Sequence, residues 1–150
     1  MQEIFRLSFA VEPLSSNEPV RSIVPIVNGV RLTILAEEFE RAHRYDPAGG
    51  YAGIVPQHFN FGPLDRYFMA EAAGSILKDG RCYLLGCECG EVGCWPLEAR
   101  IVLGEGQISW KDFVQPFRPK RDYSAFGPFR FDPAQYRQAV TQLASAFHDE

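Results

Sequence analysis

Four cysteines, Cys82, Cys87, Cys89 and Cys94, fall in one short segment, and the rest of the chain has none. Thiols grouped this way can do three things. As thiolates they can hold a metal ion, one can act as a nucleophile or redox centre, or all can stay reduced and pack as small hydrophobes. Spacing narrows the choice. In an extended strand, side chains two residues apart share a face, so Cys87 and Cys89 point together, and Gly90 and Gly93 allow the chain to return Cys94 toward them. Three sulfurs are thus expected to converge. Cys82 stands five residues before Cys87, on the opposite face by strand alternation, and reads as an ordinary core residue unless a bulge intervenes.

A tetrahedral zinc site on Cys87, Cys89 and Cys94 needs a fourth ligand, and His43, His58, His148, a carboxylate such as Glu91, or water would serve. The spacing does not choose among them. The segment resembles part of the zinc-binding SWIM pattern but departs from it at Pro96, where that pattern has histidine. Glu88 and Glu91 flank the cysteines. Their charge disfavours a reactive thiolate but does not oppose a dication. Buried reduced thiols are therefore the first reading of the turn, structural zinc the second, and a reactive thiol the third.

Other residues with chemical potential have plainer readings. The histidines sit in no nucleophile or metal motif, and Glu37, Glu38 and Glu40 read as the solvated face of a short helix, with Glu37–Arg41 and Glu40–Arg44 as i,i+4 pairs. No helix start follows the glycines at 49, 50 and 53, so a phosphate cradle is not expected there. Residues 117–130 mix Arg118, Lys120, Arg121 and Arg130 with Phe117, Tyr123, Phe126 and Phe129. This is the composition of a single-strand binder, but the net charge of −4 speaks against nucleic acid. An aromatic loop packed on a sheet, with its charges solvated, is expected instead. Trp95 reads as core.

The elements that must position these residues follow from periodicity. Phe5, Leu7, Phe9 and Val11 alternate with Arg6, Ser8, Ala10 and Glu12, as in a strand with one buried face. Asn28-Gly29 between two β-rich runs predicts a type I′ hairpin over 23–34, with Pro25 at an edge or bulge. The period then changes to helical, with Leu35, Phe39 and Ala42 on one face. Residues 45–63, rich in glycine and proline, read as a long irregular loop, and 64–77 as a helix weakened by Gly74. Runs at 81–87, 96–103 and 107–113 predict an antiparallel meander. The last helix is the clearest: Asp132 as N-cap, Pro133 at N1, Gln135 at N3, and Tyr136, Val140, Leu143 and Phe147 along one face.

The expected fold class is α+β. One antiparallel sheet, made of the N-terminal strand and hairpin plus the three-strand meander, is covered by two or three helices in a single domain, 1–150. With 46% hydrophobic residues and 23% charged, the chain can bury a core of its own. The opening residues carry no basic stretch followed by a long apolar run, and no segment approaches the roughly 20 apolar residues of a membrane span. A cytoplasmic protein that does not enter a membrane is expected.

Several segments together resemble a widespread group of small bacterial proteins that carries no assigned activity. They are Asn28-Gly29 before a helix, Gly49-Gly50-Tyr51, Leu84-Leu85-Gly86-Cys87-Glu88-Cys89-Gly90, Gly93-Cys94-Trp95-Pro96-Leu97, Trp110-Lys111-Asp112-Phe113 and Asp122-Tyr123-Ser124. Gly127-Pro128-Phe129 and Phe131-Asp132 before Gln135-Tyr136 complete the set, so the likeness runs from about Val20 onward. The resemblance implies cysteines at 87, 89 and 94 but not at 82. It names no activity. The functional expectation is a non-enzymatic domain that binds another protein, of immunity or regulatory type, with the cysteine turn as a candidate for structural zinc. The alternative is a metal- or thiol-dependent enzyme using Cys87, Cys89 and Cys94.

Overall fold

The computed structural model describes residues 3–13, 20–56, 63–69, 81–87, 96–104 and 106–148, with the side chains of Phe147 and His148 outside the description. The chain is α+β. In place of one continuous sheet, its strands form two antiparallel sheets. Strands β1 (Leu7–Pro13), β2 (Arg21–Val27) and β3 (Val30–Arg31) make the first. Strands β4 (Tyr51–Ala52), β5 (Cys82–Cys87), β6 (Leu97–Gly104), β7 (Gln107–Val114) and β8 (Phe129–Phe131) make the second, in that order. The expected meander is β5–β7. It gains a strand at each end from segments that read as loop, because β4 and β8 are too short for a period-2 signal.

The hairpin turns where Asn28-Gly29 requires, with φ of 51° and 80°, but β3 ends after two residues. Pro25 supplies a reason. Strand alternation aims the backbone of Ile23, Pro25 and Val27 toward β3, and proline has no N–H to bond the residue that would continue β3 beyond Arg31. The chain turns helical there, and α1 spans Leu32–Ala42. Arg31, at the joint, is held by a two-pronged ion pair to Glu12 of β1. This early start changes the buried face of the helix. Leu32, Ala36 and Glu40 are buried, Leu35 and Phe39 flank them, and Ala42 is exposed.

Two single bridges tie the sheets together. Phe5 runs parallel to Phe131, donating its N–H to Arg130 O at 2.7 Å, and Ile54 exchanges two bonds with Ile23, at 2.8 and 3.1 Å. Gly53 is fixed by that second contact, since any Cβ there would run into the Ile23 carbonyl. The core lies between the sheets and helices and reaches from Leu7 to Leu143. At its centre Trp110 Nε1 donates to Tyr136 Oη at 3.0 Å, and Tyr136 Oη donates to Phe68 O at 2.5 Å. Strand β7, the last helix and the segment after α2 (Leu64–Tyr67) therefore share a fully satisfied polar relay. The helix read over 64–77 is observed only as this short α2, which ends at Tyr67 with Phe68 as its C-cap and Met69 in a turn, and 70–77 lie outside the described residues.

Helix α3, Pro133–His148, begins at its expected cap, with Gln135 N donating to Asp132 Oδ2 at 3.0 Å. The Gln135 side chain does not close a capping box. Its amide accepts from Leu7 N at 2.8 Å and donates to Leu7 O at 2.7 Å, taking the place of a neighbouring strand and docking the helix on β1. Tyr136, Val140 and Leu143 are buried as their spacing predicts. Among the described residues, no helix is long and apolar enough to cross a membrane. Leu143→Ala, which removes core atoms and leaves a cavity, is expected to cost about 2–5 kcal/mol. Asp132→Ala, which removes one capping bond, should cost about 1 kcal/mol. Denaturant melts of the two variants check the order, and a Leu143→Ala protein as stable as wild type would contradict this packing.

Candidate functional site

Of the predicted metal set, Cys87 lies at the end of β5, while Cys89 and Cys94 lie outside the described residues, as do His58, Glu88, Glu91 and Trp95. Cys82 and Cys87 are both buried. Burial pushes the Cys82 thiol up to about 11, which makes it unreactive. The alternation that set these two cysteines on opposite faces does not survive, because β5 carries an irregularity between Tyr83 and Leu85. Cys82 pairs with Ala99 and Leu85 with Leu97, so Cys82, Leu85 and Cys87 share a face. Distance separates them instead: five residues of strand span roughly 16 Å, too far for both sulfurs to hold one ion. His43 is exposed, with Nδ1 2.9 Å from Phe39 O and its ring against Phe39 and Tyr45. No group of three or more metal-ligating side chains is found among the described residues.

The densest polar constellation forms around a residue that the sequence assigned to solvent. Glu40 follows Leu32 and Ala36 on the buried face of α1, where it is 0% exposed. A carboxylate there must be fully partnered, since an unpaired buried charge costs several kcal/mol. Its Oε1 accepts the Gly49 N–H at 2.8 Å. Its Oε2 accepts two hydroxyls, from Tyr51 at 2.6 Å and Tyr123 at 2.5 Å, and lies 3.4 Å from Arg121 Nη1. Gln115, itself buried, donates to Tyr51 Oη at 3.4 Å. The i,i+4 pair expected with Arg44 is therefore absent: Arg44 has left the helix with φ 59°, and Arg121 takes its place. Glu37–Arg41, at 2.9 Å, is the exposed pair that forms as expected.

These contacts join two loops distant in sequence, 43–53 and 115–127. Around the carboxylate, Arg121 Nη2 donates to Pro47 O at 2.6 Å, and its guanidinium lies 5.1 Å from the centre of the Tyr45 ring. Tyr45 Oη accepts from Asp122 N at 2.8 Å and donates to Asp122 O at 3.2 Å. Turns closed by Gln115 O with Arg118 N and by Arg118 O with Arg121 N, both 3.0 Å, shape the second loop. Tyr123, Phe126 and Phe129 are buried against Phe39 and Phe113, as expected of an aromatic loop on a sheet. Phe117 is the exception, 60% exposed.

Two hydroxyls and an amide bond the carboxylate and a guanidinium faces it, so Glu40 itself has no place beside a substrate, while Gln115 Oε1 and Arg121 Nη1 are buried around it without a hydrogen bond. The signal that could have found it was the Leu32–Ala36–Glu40 stripe, visible once the helix is started at Leu32. The chain matches no protein-family model, no curated protein and no solved structure.

The tyrosines give the cluster a pH signature. Burial first, then the bond to Glu40, raises Tyr123 from 10.0 to about 12 and Tyr51 further. Between pH 10 and 12 the unfolded tyrosine has lost a proton that the folded one keeps, so stability falls as pH rises through this window and is complete below it. Cys82, raised from 9.0, begins the same decline about one unit earlier. Denaturant midpoints measured from pH 8 to 12 should therefore fall above about pH 9, and Tyr123→Phe should flatten the part above pH 10. An unchanged slope in that variant would contradict the assignment.

Proposed function

We propose that this protein is a non-enzymatic, partner-binding domain of immunity or regulatory type, and that loop 115–124 presents its contact surface to another protein. The observation that carries this reading is Phe117, a large aromatic held 60% exposed on a loop that Glu40 and Arg121 fasten from within. Aromatic anchors dominate binding energy at protein interfaces. A loop ordered before it meets its partner loses less entropy on binding. The saturated state of Glu40 agrees, since its bonding capacity goes to shaping the loop pair. The cysteine turn takes a structural part in this reading, with zinc on Cys87, Cys89 and Cys94 as the candidate ion. The chain would act in the bacterial cytoplasm, as its resemblance and composition imply.

Affinity capture from the native cell, followed by reconstitution with the purified partner, tests the reading. Wild type should bind one protein that Phe117→Ala, with an unchanged melting temperature, binds at least about tenfold more weakly, the loss of a typical aromatic anchor. In the same preparations, purified without added metal, zinc should be lowered by Cys87→Ser and unaffected by Cys82→Ser. Turnover in a hydrolase and thiol-transfer screen that disappears on substituting Cys87, Cys89 or Cys94 would establish the enzyme alternative instead.

A further inference from the structure

The outer face of the second sheet carries a different feature. Strand register places Ser109 opposite Val102 on one side and Arg130 on the other, with Lys111 two residues along β7 on the same face. Val102, Gly104, Gln107, Ser109, Lys111, Pro128 and Arg130 line a groove of about 220 Å³ there. Lys111 and Arg130 are diagonal neighbours, roughly 7–8 Å apart at the backbone. Like charges so placed repel, and neither side chain has a carboxylate partner among the described residues. Asp112, next to Lys111 in the chain, is taken by Arg100 at 3.1 Å. Glu98, on the same face by alternation, is buried beside Tyr83.

An unpaired cation pair is unusual in a chain where 19 acidic residues outnumber 15 basic ones. The hydroxyl of Ser109 and the amide of Gln107 add neutral donors to the same groove. Two cations and two neutral donors around a shallow space complement a carboxylate, and charge-assisted bonds to both cations would offset their repulsion. Two cations are too short a basic track for the backbone of an extended nucleic acid but suffice for one or two carboxylates of a short acidic segment. We propose that this groove binds an acidic segment of a partner protein, with Lys111 and Arg130 engaging its Asp or Glu side chains. The inference rests on the partner-binding reading for the existence of that partner, but it concerns a surface built from other residues than the Phe117 loop.

Fluorescence anisotropy with a labelled, end-blocked oligoglutamate peptide tests it, with an oligoglutamine peptide and single-stranded oligothymidylate as the other arms. Oligoglutamate should bind at low salt, weaken as salt rises and leave oligoglutamine unbound. The Lys111→Ala/Arg130→Ala double variant should lose affinity by about tenfold or more, with Lys111→Ala alone losing part of it and Phe117→Ala none. Both cations lie on the sheet surface, so melting temperatures should not move. Absence of oligoglutamate binding, binding that ignores both substitutions, or tighter binding of oligothymidylate through the same two residues would overturn the proposal. Failure here with capture through Phe117 intact removes only the groove. Peptide binding without that capture removes the loop surface instead.

Discussion

The buried carboxylate of Glu40 is the constraint on which the most irregular part of the molecule depends. Its position on α1 is set by the apolar stripe of Leu32 and Ala36, and desolvation there is tolerable only if donors come to it. Helix α1 supplies none of them. They come from Gly49 and Tyr51 on one side and from Tyr123 on the other, with the Arg121 guanidinium beside it as counter-charge, so satisfying one side chain orders both loops at once. That ordering positions β4 beside β5, seats Phe126 among Phe39, Phe113 and Phe129, and leaves Phe117 standing in solvent.

The regular part of the fold is held by different physics. Apolar burial between the sheets and α3 dominates it, with the Trp110–Tyr136–Phe68 relay bonding the polar atoms at its centre. Single backbone bridges at Phe5 and Ile54 join the two sheets. The molecule thus has a scaffold that depends on hydrophobic packing and a loop pair that depends on one acid. A loop surface resting on the second can vary in sequence without disturbing the first.

Much of the scaffold was legible in the sequence because its signals are local. Alternation gave β1 and the meander, Asn28-Gly29 gave the turn, and Asp132-Pro133 gave the start of α3. What was not legible depends on tertiary contact. Glu40 among other acids looks like solvated helix surface, and only the donors brought by residues 49–51 and 121–123 make its burial affordable. Pro25 hinted at an edge but not that β3 would end at Arg31 and shift the buried face of α1. The irregularity near Leu84 reverses strand parity, so alternation does not set Cys82 and Cys87 on opposite faces. Cys89 and Cys94 lie outside the described residues.

The dependence of the loop pair on Glu40 can be read most directly by native-state hydrogen exchange in Glu40→Ala. The substitution leaves two tyrosine hydroxyls and the Gly49 amide without their common acceptor, and the Arg121 guanidinium without its counter-charge. Protection should fall at the amides of Gly49 and Asp122, which the cluster orders, while Val140 and Leu143 in α3 keep theirs relative to global stability. Unchanged protection at Gly49 and Asp122 would show that the loops hold their shape without the carboxylate, and the central role given to it here would be wrong.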